Sequence, residues 1–326
     1  MSVTVVAVLV AIVGVVAMLA VLAAVLAASL GTRRPAPAPS EAAEAARRHG
    51  VTVNAVAWVL ALLASPVAIG GVALPVVLRT GGTGLYGGIV AGLYPAALGL
   101  LFLAVHAVGE RTWPRPTGTV RRAVLSPRQD VAPRWLLLAT WSWAGALAIT
   151  LTVTGLTGTD GRTLERITGP SASAGAGPYP GWFYGLPLLV AAALLVVATH
   201  GVLRLVARRP AVVDADPAYD AASRRLSGHR VLRGVQLVLA LTLSGVLFFA
   251  GNAIRGVDLL ALGAGITVAA AVVALVGAVL AGVPAQAAVP QAARPVGHAG
   301  GPTARAVAPA GPLAPVSAVD RAASLP

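Results

Sequence analysis

Apolar residues along this chain run in long blocks, with the polar residues gathered between them. Seven blocks reach the roughly 20 residues that a helix needs to cross a hydrocarbon core of about 30 Å. They lie at 3–30, 51–78, 85–109, 135–156, 183–206, 231–250 and 257–282. The pattern predicts an all-α, polytopic membrane bundle of about seven transmembrane helices. The first block carries no charge, has no basic lead and far exceeds the roughly 7–15 apolar residues of a signal peptide. It is read as a retained anchor. Ala20, Ala24 and Ala28 give it a stripe of small residues for packing on a neighbour.

The segments between the blocks differ in kind. Residues 80–84 and 251–256 are tight turns, so blocks two–three and six–seven form hairpins. Residues 157–182 are longer, rich in Gly, Ser, Pro and Thr, and end in Tyr179, Trp182, Phe183 and Tyr184, the composition of an aromatic belt at a membrane interface. Asp216 before Pro217 reads as an N-cap and first-turn proline, predicting a short helix to about Leu226 that stops at Gly228. The run at 35–39 is a stiff Pro-Ala spacer. Residues 283–326 are Ala/Pro/Gly-rich and predict a disordered cytoplasmic tail.

Composition supports the membrane reading. Hydrophobic residues make up 57% of the chain and charged ones 11%, against roughly 25% charged in soluble domains. All 24 basic residues are arginine, and there is no cysteine. Without lysine there is no P-loop and no Schiff-base chemistry, which excludes a retinal pigment. Without cysteine there are no disulfides, thiolate nucleophiles or iron–sulfur ligands.

Charge sets the orientation. With the N-terminus outside, segments 31–50, 110–134 and 204–233 and the tail hold 20 arginines, and the outer side holds Arg79, Arg162, Arg166 and Arg255. This bias predicts an N-out/C-in, multi-pass protein of the plasma or inner membrane. The inner arginines come in pairs (Arg33/Arg34, Arg47/Arg48, Arg121/Arg122, Arg208/Arg209, Arg224/Arg225). They are expected to meet anionic lipid headgroups, and no nucleic-acid module accompanies them.

Polar positions inside the blocks are few. No Asp, Glu or Arg stands near the middle of any block, which argues against a carboxylate proton relay and an arginine voltage sensor. Helical spacing puts Asn54, Trp58, Ala61 and Ser65 on one face, and Gln236, Ala240 and Ser244 on another. With Pro66, a kink-forming proline, the residues Asn54, Ser65, Gln236 and Ser244 are candidates for a substrate path, weighed against plain interhelical hydrogen bonds. Further prolines stand at Pro75, Pro95 and Pro187. Gly88, Gly92 and Gly99 form a packing stripe that His106 continues. His106 and His200 fall at similar depths on helices of the same direction, the minimum geometry for two axial ligands of one haem b or for a metal ion, with His49 and His229 near the same level. The competing reading is two interfacial histidines satisfied by backbone carbonyls.

Three function classes follow. The first is a transport-related permease, or a membrane subunit whose energy-coupling partner is another chain. Kinked helices, hairpins and a faint likeness between 59–65 and 238–244 motivate it. The second is a non-catalytic scaffold or accessory subunit, alone or as a homo-oligomer. The third is a bis-histidine haem b electron carrier. Enzymatic activity is not expected, and no cofactor other than that haem is called for.

Overall fold

A computed structural model describes residues 40–68, 85–114, 131–212, 215 and 217–283, except for the side chains at 65–68 and 85–87. The first apolar block with Ala20, Ala24 and Ala28, the later part of the second with Pro75, the 80–84 turn, the 35–39 run and the tail beyond Val283 lie outside the described residues. The elements in chain order are α1 (Glu41–Ala68), α2 (Leu85–Arg111), α3 (Arg134–Thr157), β1 (Leu164–Gly169), β2 (Ala172–Ala176), α4 (Trp182–Arg208), α5 (Pro217–Gly256) and α6 (Leu260–Gly282).

Helices α2 to α6 are each long and apolar enough to cross a membrane. Large apolar side chains such as Leu138, Ile149, Leu156, Val197 and Leu275 stand exposed, while His106, Arg233 and Gln236 are buried. That inversion of the soluble pattern marks a membrane protein, because lipid tails solvate the outward apolar faces.

Lipid gives apolar helices no hydrophobic reason to associate, so close contact across small residues holds them. The glycine stripe of α2 does this against α4. A Cβ at Gly88 would lie 2.7 Å from the Tyr184 ring, one at Gly92 would lie 3.3 Å from Leu188, and one at Gly99 would lie 2.7 Å from Leu195. The two helices therefore run parallel, in constant register. The main core surrounds this seam, with Leu103, Leu147, Leu151, Leu195, Val235 and Leu239 buried together.

Helix α5 is the hub, packing on α6, α3, α2 and α4. Its 40 residues would span about 60 Å, twice a hydrocarbon core, so it projects well beyond one side. It starts at Pro217, as the sequence predicts, but Gly228 does not stop it. Gly228 is buried against the Val131 carbonyl, where any Cβ would collide. The glycine is there for close approach, which a local signal cannot distinguish from a C-cap. Helix α5 also continues to Gly256, so the turn into α6 is at Val257–Leu259, where Asp258 has φ 63°.

Two other elements differ from the sequence reading. Helix α1 begins at Glu41, ten residues before the expected block, because the Ser40 hydroxyl accepts the Ala43 amide at 3.1 Å and caps it. The 157–182 connection, for which the sequence predicts no regular element, holds an antiparallel hairpin pairing Leu164 with Ala176 and Ile167 with Ser173. Residues 172–176 (Ala-Ser-Ala-Gly-Ala) have little strand preference, so cross-strand pairing supplies the conformation. Ahead of it, Asp160 at φ 51° and Gly161 at φ 75° make a turn in which the Asp160 carboxylate accepts the Thr163 hydroxyl at 2.8 Å.

Candidate functional site

Gln236 and Ser244, the candidates on α5, both hydrogen-bond to neighbouring helices. Gln236 is fully buried; its Oε1 accepts the Trp143 indole N–H at 3.1 Å, and its Nε2 donates to the Gly277 carbonyl at 3.2 Å. One side chain thus ties α5 to both α3 and α6. Ser244 donates to the Ala270 carbonyl of α6 at 2.8 Å. The threonines of α3 turn back on their own helix, as Thr140 does to Leu136 and Thr150 to Ala146. These groups act as interhelical glue or helix back-bonds. Asn54, Trp58 and Ala61 do share a buried face of α1. Ser65 and Pro66 fall within α1, but their side chains lie outside the described residues. Tyr179, expected in an interfacial belt, is instead buried, with its hydroxyl 2.7 Å from that of Thr157.

The parallel register of α2 and α4 puts His200 level with Ala104, close to the level of His106, as the sequence predicts. The imidazoles nonetheless turn to different neighbours. His106 is buried against Phe102, ring centroids 4.6 Å apart. His200 lies against Trp141 of α3 at 5.3 Å, and its Nδ1 is 2.9 Å from the Val196 carbonyl. The reason is helical phase: Leu195 faces α2, and five residues further on His200 is rotated by about 140° at 3.6 residues per turn. His49 is engaged with the Gly109 carbonyl at 2.8 Å. No cluster of three or more His, Cys, Asp or Glu able to hold a metal occurs among the described residues.

The arginine-rich end holds what sequence reasoning missed. The pairs Arg208/Arg209 and Arg224/Arg225 read as surface charge, yet Arg209 and Arg224 are buried. Arg209 Nη1 lies 3.3 Å from Glu110 Oε2 and donates to Ser227 Oγ at 3.0 Å, and Nη2 donates to Ser223 Oγ at 2.9 Å. Its guanidinium also stacks 3.7 Å above the Trp113 ring, whose edge meets His49. Burial pushes Arg209 below its ordinary pKa, and Glu110 acts the other way. Arg224 pairs with Asp220 at 2.9 Å and donates to the carbonyls of Val206, Ala207 and Arg209. It thereby caps the last turn of α4, whose carbonyls have no helical partners. The available sequence signal was a lone Glu110 at a helix end, directly before Arg111-Thr112-Trp113.

A different arrangement lies between α1, α2 and α5. Gly234 and Val238 of α5 meet Phe102 and Gly99 of α2, so α2 and α5 are antiparallel and Arg230 stands level with His106. Val53 of α1 meets Gly109, and Trp58 meets Phe102 at 5.0 Å, so Asn54 stands at that level too. Below it, Trp58, Pro95, Leu98, Phe102, Leu237 and Leu241 line an apolar cleft. Among the described residues, Asn54 Oδ1, Trp58 Nε1 and His106 Nε2 are buried at this interface without a hydrogen-bond partner, and of the three Trp58 lines the cleft.

No protein-family model, curated protein or solved structure matches the chain.

Proposed function

We propose that this chain is a seven-span, N-out/C-in protein of the cell membrane that serves as a non-catalytic membrane subunit or scaffold, with any energy-coupling activity on a separate chain. The observation that carries this reading is the use made of the buried polar residues. Gln236 and Ser244, the natural candidates for a substrate path, are consumed in helix-to-helix hydrogen bonds, and leucines fill the space between α3, α4 and α5. A bundle so built supports holding a shape in lipid. A permease in its own right is the second reading, favoured by the cleft beside Trp58 and Pro95. The haem reading draws no support from imidazoles that pack against different aromatic rings, Phe102 for His106 and Trp141 for His200. Exposed arginines such as Arg48 and Arg208 are proposed to meet anionic headgroups, at about 1 kcal/mol each.

Cross-linking followed by purification from native membranes tests the subunit reading. A stoichiometric second polypeptide is the expected result. A lone chain that carries solute across proteoliposomes would overturn it. The absence of native cysteine makes single-cysteine labelling a clean test of topology. Ser173→Cys in the hairpin should react with an impermeant maleimide on intact cells, and Ala304→Cys only after permeabilisation. The reverse pattern would invert the orientation.

A further inference from the structure

Three buried polar atoms without partners at one helix interface call for an explanation. Trp58, His106 and Asn54 are only 3%, 3% and 4% exposed. Leaving one such donor or acceptor buried and unpaired costs about 1–3 kcal/mol. A finished interior satisfies nearly all of its polar groups, so a cluster of orphans points to something that fills the space. The three are contiguous: the Trp58 ring packs at a tilt on Phe102 and Phe102 likewise on His106, while Asn54 is one turn from Trp58 and level with His106.

Two further observations define the occupant. The cleft walls next to the orphans are apolar, and Pro95, Leu98, Val238 and Leu241 are only half-buried, so the cleft is not sealed. Positive charge stands at the level of the orphans. Arg230 stands at the level of His106 and Arg233 is less than one turn further along α5. Arg230 Nη1 donates to the Gly50 carbonyl of α1 at 3.0 Å, which holds the guanidinium at this interface, and Glu110 is engaged by Arg209. The site thus combines an apolar slot with hydrogen-bonding groups under a positive field.

We propose that the cleft between α1, α2 and α5 binds one anionic phospholipid, with an acyl chain along Trp58, Pro95, Leu98 and Leu241 and its phosphate end at Asn54, Trp58, His106 and Arg230. The Trp58 indole donates to a phosphate or ester oxygen, and the His106 imidazole offers the same oxygen its unpartnered Nε2. Basic pockets between membrane helices hold acidic headgroups by this combination of charge and donors. A free phosphate would leave the apolar walls unused, and a zwitterionic lipid would bring its own cation to the level of Arg230. The site goes beyond the subunit reading and does not depend on it.

Native mass spectrometry of the full chain in detergent tests the proposal. Phosphatidylglycerol and phosphatidylcholine of identical acyl chains are added in competition, with glycerol 3-phosphate and palmitate as separate probes. One saturable phosphatidylglycerol adduct is expected, preferred over phosphatidylcholine by roughly tenfold, the value of one charge-assisted hydrogen bond. Trp58→Phe, which keeps the ring and removes the donor, and His106→Phe should each lower that retention several-fold. Arg162→Gln, on the hairpin side, should not change it. Equal retention of the two lipids by the wild-type chain overturns the proposal even if a variant fails to fold. So does unchanged retention by folded Trp58→Phe, the result expected if water alone fills the site. Glycerol 3-phosphate or palmitate binding as well as phosphatidylglycerol would overturn the commitment to a phospholipid.

Discussion

Removing Glu110 leaves the Arg209 guanidinium buried against Trp113 with only Ser223 and Ser227 to receive it. Breaking a buried pair from one side typically costs about 3–5 kcal/mol, whereas replacing both partners with apolar groups is often neutral. Glu110→Ala should therefore lower the thermal midpoint in detergent markedly, and Glu110→Leu with Arg209→Met should recover most of the loss. The glycine stripe makes a graded prediction. Gly99→Ala places its Cβ against both Leu195 and Val238, while Gly92→Ala meets Leu188 alone and at a longer distance. The first should destabilise by about 1–3 kcal/mol and the second by less, read by the same melting assay. Glu44 predicts a pH effect. Hydrogen bonds from Arg47, then from Arg48, hold its carboxyl down at about 2 against an ordinary 4.5. A depressed carboxylate contributes fully above its ordinary value and loses the contribution as pH falls through the folded one. Protection of the first turns of α1 in hydrogen exchange should weaken from about pH 4.5 toward about pH 2, and Glu44→Gln should abolish that dependence.

Helix α5 shows how one element can carry two local signals with opposite meanings. Pro217 starts the helix because its missing N–H would be unpaired there in any case. Gly228 resembles a stop, yet the chain runs through it because Val131 presses on that face. Alanine is the test. In a free helix Gly→Ala stabilises by about 1 kcal/mol, but here the new Cβ meets a backbone carbonyl that has no rotamer to yield. Gly228→Ala should lower stability and perturb the junction of residues 131–133 with α5; a rise in the melting temperature would show that Gly228 is a terminator after all. The hairpin after α3 is tied down in a comparable way. Arg166 donates to the Val257 carbonyl at 3.3 Å, and Gly256 admits Ala176.

At the scale of the molecule, the broadest contact joins α5 to α6, while α2 packs chiefly on α4 and α3 chiefly on α5. Helix α5 belongs to every layer and carries Arg224, Arg230, Arg233, Gln236 and Ser244 along its length. It is the element through which the arginine-rich end is joined to the membrane core. The tail begins beyond Val283, after the last turn of α6. Deleting residues 290–326 should leave membrane insertion and thermal stability intact, as measured by fractionation and melting, because the chain's apolar blocks end at 282.

Sequence by itself determined the class of structure. Block length sets which segments can span lipid, and the spacing of Gly88, Gly92 and Gly99 marks a packing face because only small residues allow backbones to approach. It also gave the common level of His106 and His200, since rise per residue depends on counting alone. Direction around the helix axis was decided by tertiary structure, for it depends on which neighbour each face meets. That is why His200 turned to Trp141, why Gln236 and Ser244 closed onto other helices, and why half of two arginine pairs went inside. Burial of an arginine requires partners from elsewhere in the chain, here Glu110, Trp113 and Ser227 for Arg209. The same rule explains the cleft: Asn54, Trp58 and His106 are ordinary residues in sequence, and only the packing of α1, α2 and α5 places their unpaired atoms together at the level of Arg230.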